Sequence, residues 1–428
     1  MGCCFLCRFP RGAVRLRVAA VLTFGLVGAF ELTPAAAQAL PPFPDLLRQS
    51  EKLAPRLMEG EANLQAAQGL ARQSAALPNP TISYESENFG GSNNFARISP
   101  VQNTVSVSET IEIGGKRGAR IAAEAANVEA ARSGYELARA DFSRDLATAY
   151  ASCEMAELRL QLLQEELARA QEDQRATRLL VEAGRESDLR SMQAQAALTH
   201  TQADLESARA DLSEALINIS TLAGALQPYS DVRPFLMLRA DTLTLPAEDA
   251  PGQTPALRTA EAERETAARR VEVERKRPIS DITVSVGSRR LAGLDATALV
   301  AGVSVPLPIF DRNRGAIAAQ LSELHAADAR LSRIRLELQG SWRAAFAQAR
   351  AAGLRLKASN ESEAAAREAY RLGRIGYDAG RTPLIELLAI RRALSEAQLR
   401  AVDARFARVR AQINLSHLMG RIPFEDIP

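Results

Sequence analysis

Side chains able to do bond-making chemistry are few in this sequence and widely spaced. His200, His325 and His417 form no i, i+4 pair, so they offer no metal site on a helix face. Cys3, Cys4 and Cys7 crowd the start of the chain and Cys153 stands alone. That pattern excludes a disulfide scaffold and a Cys/His cage, and a lone cysteine in an alanine-rich stretch reads as a small packing residue. Gly114-Gly115-Lys116-Arg117 is glycine-rich and basic but lacks the spacing of a phosphate-binding loop. Trp342 sits one position from a seven-residue apolar seam and reads as packing. No nucleophile stands with a base in reach, so neither an enzyme nor a cofactor is expected.

The polar residues that recur in a pattern come in two copies. Val181-Glu182-Ala183-Gly184-Arg185 reappears as Tyr377-Asp378-Ala379-Gly380-Arg381, and Leu222-Ala223-Gly224 reappears as Leu418-Met419-Gly420. Ile111–Ala119 has its counterpart in Leu307–Ala316, with one insertion near Asn313. A glycine at such a point supplies a left-handed cap between two helices. The arginine after it, followed by Ser187 and Leu189 in one copy and Pro383 and Leu384 in the other, is more than a turn needs.

A single long-period duplication sets the elements that position these residues. Each unit opens with alternating apolar and polar residues: Ile82, Tyr84 and Ser86, then Val101 to Ile113; and again Ile282, Val284 and Val286, then Leu299 to Leu307. Period-two alternation marks strands with one apolar face. Asn88–Pro100 and Ser288–Asp295 read as their hairpin loops. A long helix follows each pair. Ile121, Val128, Tyr135, Phe142 and Ala149 recur every seven residues, as do Ile317, Leu324, Leu331, Leu338 and Ala345, which implies left-handed coiled-coil packing. The units are residues 40–226 (a helix within Pro41–Ala76, strand pair about 80–113, helical hairpin about 116–224) and 255–428 (a helix over Pro255–Lys276, strand pair about 279–310, helical hairpin about 312–420). A breaker-rich connector, 227–254, joins them.

The chain has 428 residues and 53 Lys+Arg against 51 Asp+Glu, a balance that argues against a nucleic-acid partner. Residues 1–39 read as a secretory signal peptide. Arg8, Arg11, Arg15 and Arg17 precede an apolar run from Val18 to Phe30, and Ala35–Ala39 offers cleavage after Ala37 or Ala39. No cysteine sits at the cleavage site, so no lipid anchor is expected there. Beyond the signal no apolar stretch is long enough for a transmembrane helix, which leaves a soluble protein or a β-barrel.

Four strands cannot close a barrel, and an open sheet edge cannot face lipid. The strands must be shared between chains, and twelve strands from three chains leave an open lumen where eight would be filled by side chains. The expected fold is a mixed α/β membrane protein: a duplicated unit of two barrel strands and a long coiled-coil hairpin. Three copies would form a trimeric 12-stranded β-barrel continued by a periplasmic α-helical tunnel.

On these residues the sequence resembles the TolC-type outer-membrane factors over nearly its whole length beyond the signal. It is most similar to the CzcC-type heavy-metal efflux branch, through Leu77-Pro78-Asn79-Pro80, Glu87-Asn88-Phe89-Gly90-Gly91 and Ser106-Val107-Ser108-Glu109 running into Ile111–Gly118. The resemblance implies an outer-membrane channel of a tripartite efflux system that exports heavy-metal cations. Its partners would be two further copies, a periplasmic adaptor, an inner-membrane RND pump and outer-membrane lipid. It also implies roles for single residues. Gly184, Arg185, Ser187, Leu189, Gly380, Arg381, Pro383 and Leu384 would dock the adaptor; Asp188, Tyr377 and Thr382 would form a gate; Glu386 would ring the lumen near its closed end, where a second ring falls on Ala389 and is missing. Drug efflux, type I protein secretion and an exported trimeric coiled-coil stalk are the alternatives. The two strand hairpins speak against the stalk.

Overall fold

The computed structural model describes residues 39–90, 101–245 and 252–424. The signal segment up to residue 38, the loop tip 91–100 and connector residues 246–251 lie outside them. Helix α1 (Phe43–Leu53) and helix α2 (Pro55–Ser74) come first. The sequence reads as one helix here, but Pro55 forbids it: Ala54 takes ψ 118°, as a residue before proline prefers.

Strands β1 (Thr81–Glu87) and β2 (Gln102–Ile111) follow. Helix α3 (Lys116–Glu182) then runs 67 residues, about 100 Å at 1.5 Å per residue. Helix α4 (Asp188–Ala223) returns beside it. After a short 3-10 helix, Met237–Thr242, the order repeats: α5 (Pro255–Lys276), β3 (Ile282–Leu291), β4 (Ala296–Ser304), α6 (Arg314–Asp378) and α7 (Leu384–Leu418). The second strand hairpin is tighter than the sequence implies. Ser288–Leu291 belong to β3, paired with Leu299–Ala296, and only residues 292–295 turn.

The four strands form one antiparallel sheet in the order β1-β2-β3-β4. Its register sorts the side chains cleanly. Ile82 faces Val107, Val107 faces Val286 and Val286 faces Ala301, while Tyr84, Val105, Ser288 and Leu299 make the next row. The opposite face carries Ser83, Ser106, Ser108, Ser285 and Thr283, with a 2.8 Å hydroxyl contact between Ser83 and Ser106. One side is thus aliphatic and exposed, the other hydroxylic, and β1 and β4 are left as unpaired edges.

Basic residues lock the sheet onto the helices. The Arg120 guanidinium grips both Glu112 oxygens at 2.6 and 3.0 Å and donates to the Ser74 carbonyl at 3.0 Å. Arg117 donates twice to the Ala75 carbonyl, at 2.7 and 3.0 Å. Together they satisfy carbonyls orphaned at the C-terminus of α2. Lys116 pairs with Asp281 at 2.6 Å and so ties the two strand pairs together. The Gly-Gly-Lys-Arg string is a structural joint.

Candidate functional site

The two hairpin tips are built alike, by the same backbone device. Gly184 (φ 65°) and Gly380 (φ 71°) are left-handed. The Gly184 amide donates to Val181 O at 2.9 Å and the Arg185 amide to Leu180 O at 2.9 Å; Gly380 donates to Tyr377 O at 2.9 Å and Arg381 to Gly376 O at 2.8 Å. This is the double bond pattern of a Schellman cap. It fixes Arg185 and Arg381 at equivalent places, both exposed. Ser187 is the N-cap of α4 and Pro383 that of α7, in extended conformation. Leu189 is 64% exposed, and Leu384 is half-buried at the start of α7. Each tip thus presents an exposed arginine, with an exposed leucine four residues on at the first tip and a half-buried one three residues on at the second.

The residues expected to gate are less tightly engaged. Asp188 is exposed in the first turn of α4, and Tyr377 is half-buried near the end of α6. Thr382 turns back on its own hairpin: its Oγ1 occupies the space a Cβ on Gly376 would need. Among the described residues, no side-chain hydrogen bond or ion pair joins one tip to the other within a protomer. Glu386 is exposed in the first turn of α7, where a carboxylate also favours the helix N-terminus.

Above the tips, α3 and α7 meet in a charge cluster. Arg391, largely buried, pairs with Asp173, and its Nε lies 3.9 Å from Glu166. Ser395 donates to Glu166 at 3.1 Å. Burial against Arg391 raises the Asp173 carboxyl above the ordinary carboxylate range despite the guanidinium.

Higher still is a belt that ties the two repeats together. Phe43, Phe142, Leu146, Tyr150, Ile219, Leu236, Met237, Val409 and Ile413 make one core from five elements. Phe43 stands edge-on to Tyr150 with centroids 5.7 Å apart. Within it lie two buried charges that sequence reasoning missed. Glu154 accepts the backbone N–H groups of Phe235, Leu236 and Met237 at 2.6, 2.9 and 2.7 Å. Arg408 donates to the carbonyls of Leu243 and, at 3.1 Å, Ala349. An anion thus sits at the start of the 3-10 helix Met237–Thr242 and a cation at its end, as its dipole prefers. Burial pushes the Glu154 carboxyl up to about 7, against the pull of its three amide donors. Burial, with Glu154 beside it, also pushes the Cys153 thiol up to about 12, so that thiol is inert packing. The only signal in the sequence was a charged residue on an otherwise apolar stripe.

The histidines stay apart. His417 Nε2 lies 2.8 Å from Asp141 and His200 Nδ1 lies 2.7 Å from Asp204. Burial, with Arg144 adding to it, holds His417 below its ordinary range. Trp342 packs against Phe346 with centroids 6.1 Å apart. Among the described residues, no group of three or more His, Cys, Asp or Glu is placed to hold a metal ion.

The family described as outer membrane efflux protein matches residues 46–225 and, again, 247–421, which divides the chain at its own repeat. The nickel-cobalt-cadmium resistance protein NccC of Alcaligenes xylosoxydans xylosoxydans is 42% identical over 386 residues, covering 90% of this chain and 88% of that one. The nickel and cobalt resistance protein CnrC of Cupriavidus metallidurans is 44% identical, covering 90% and 92%. Among solved structures, CusC superposes with a TM-score of 0.75 at 17% identity, covering 89% of this chain and 92% of that one. VceC of Vibrio cholerae superposes at 0.74 and 18%, covering 89% and 96%.

Proposed function

This chain belongs to the outer membrane efflux protein family, and from that premise we propose that it works as a homotrimer exporting heavy-metal cations. It is an efflux channel of the outer membrane that extends into the periplasm. The observation that carries the trimer is the sheet. Four strands with an aliphatic outer face and two unpaired edges cannot lie alone in lipid. Pairing β4 of one copy with β1 of the next closes twelve strands around the hydroxylic face, a wet lumen.

The metal reading is supported by the names of the relatives at 42% and 44% identity, which are nickel, cobalt and cadmium resistance proteins. The hairpin tips then meet a periplasmic adaptor and, through it, an inner-membrane RND pump. Gly184, Arg185, Ser187, Leu189, Gly380, Arg381, Pro383 and Leu384 form the docking surface. Asp188, Tyr377 and Thr382 close the end between copies, and Glu386 rings the lumen there.

Topology tests the arrangement. The cysteine of Gly293→Cys, in the β3–β4 turn, reacts with a membrane-impermeant maleimide on intact cells. That of Gly184→Cys reacts only after the outer membrane is permeabilised. Buried Cys153 gives little background. The reverse pattern sinks the reading.

A further inference from the structure

The two repeats use their strand-to-helix joints differently. Arg117-Gly118-Ala119 and Arg314-Gly315-Ala316 are the same string in the two copies. In the first copy the cations are consumed: Arg117 caps α2 at the Ala75 carbonyl and Lys116 pairs with Asp281. In the second, Arg312 and Arg314 are exposed, and neither has a hydrogen-bond or ion-pair partner among the described residues. The reason is local. Helix α5, which stands where α2 stands in the first copy, already ends in Arg275, Lys276 and Arg277. The carboxylate there, Glu274, is already taken by Arg277 and Asn313.

The second joint also carries an aromatic ring that the first lacks. Where one copy has Ile113-Gly114-Gly115, the other has Ile309-Phe310-Asp311. Val303 and Val305 continue the aliphatic face of β4, and Leu307 continues their alternation beyond the strand. Leu307 is 74% and Phe310 99% exposed. Pro306 and Pro308 lack the N–H that would extend the sheet. The segment is nonetheless held in place. Asp311 accepts the Asn313 N–H at 2.8 Å, and the Asn313 amide reaches Glu274 Oε2 at 2.6 Å. Arg277 lies 3.3 Å from that same carboxylate.

We propose that Arg312 and Arg314, with Phe310 beside them, bind the phosphate of an anionic glycerophospholipid in the inner leaflet of the outer membrane. The site rests on the channel reading, which puts the foot of β4 at the periplasmic boundary of the hydrocarbon layer. Its apolar part is continuous with the lipid-facing face of the sheet, so acyl chains meet Leu307 and Phe310. The two unpaired guanidiniums lie just beyond, at headgroup level, where arginine–phosphate contacts are strong and planar. The duplication supplies one such site per chain, since the first joint has spent its cations internally.

The test uses the full-length protein in detergent, with fluorescent phosphatidylglycerol and phosphatidylcholine as probes. Phosphatidylglycerol binds more tightly, and Arg312→Ser with Arg314→Ser removes the difference, roughly fivefold per arginine. Arg312→Lys with Arg314→Lys keeps most of it, and Arg185→Ser at the tip leaves it unchanged. Equal binding of both lipids overturns the proposal. So does a Phe310→Ser variant that lowers trimer dissociation temperature but not lipid binding, which would mean that a second copy covers the patch. A protein that inserts and conducts but shows no lipid preference loses only this site. One that forms no channel in bilayers loses the functional reading instead.

Discussion

The belt and the tips are made from the same four long helices, yet they are held by opposite means. In the belt, aromatic and aliphatic side chains from both repeats close over Glu154 and Arg408, and each charge is spent on connector backbone. At the tips, each hairpin satisfies its own backbone through a glycine cap and leaves Arg185, Asp188, Leu189 and Arg381 exposed. A buried carboxylate with three amide donors has one good arrangement, and disturbing it orphans all four groups. A capped tip keeps its own backbone bonds when it moves as a unit. The difference makes the belt the better-anchored part of the chain and the tips the freer one.

The largest effect should come from the belt. Glu154→Ala leaves three buried N–H groups without an acceptor and should lower unfolding stability by about 3 kcal/mol or more, measured by denaturant unfolding of the detergent-solubilised protein. Arg408→Ala strips the Leu243 carbonyl of its donor, removes a second donor from the helix-bonded Ala349 carbonyl and opens a void beside Gly353, so about 2–3 kcal/mol is expected. A loss below about 0.5 kcal/mol for both would remove the contrast.

Acidity sharpens the same comparison. Folding lifts the Glu154 carboxyl from its ordinary value of 4.5 to about 7. Between those values the folded chain binds more protons than the unfolded one, so this group's stabilisation is greatest at low pH and is lost as pH rises through about 7. Stability should fall by roughly 1 kcal/mol between pH 6 and pH 8 on this account, and Glu154→Gln should flatten that slope. A slope of opposite sign that disappears in the Gln variant would contradict the burial argument.

Tip substitutions should do the reverse: much to conduction and little to stability. Asp188→Ala with Tyr377→Phe should raise single-channel conductance in planar bilayers and shift unfolding by no more than about 0.5 kcal/mol, as substitutions away from the core do. Glu386→Gln should give the smallest change, a weaker block by millimolar divalent cations from the tip side. Unaltered block would turn Glu386 away from the lumen.

Much of this architecture was legible because it was written twice. The 3.5-residue seam, the period-two strands and the paired Gly-Arg tips are local patterns, and a duplication confirms each against its copy. The chain on both sides of Pro55 is helical in pattern, so two helices read as one. Ser288–Arg290 read as loop because polar residues interrupt the alternation. Cross-strand partners on β2 and β4 hold them in the sheet all the same. Glu154 and Arg408 were illegible for a deeper reason. Their partners are backbone groups of a connector more than 80 residues from Glu154 and 165 from Arg408, and main-chain donors and acceptors leave no trace in residue type. Arg391 and Asp173, on different repeats, were hidden likewise.

Native-state hydrogen exchange of the intact, detergent-solubilised protein tests the division between belt and tips most directly. The amides of Phe235, Leu236 and Met237, bonded to Glu154, should be among the slowest in the chain. Those of Asp188–Arg190 and Leu384–Glu386 should exchange orders of magnitude faster, at the cost of local opening only. Tip amides protected as strongly as those on Glu154, or belt amides that open as readily as the tips, would contradict it.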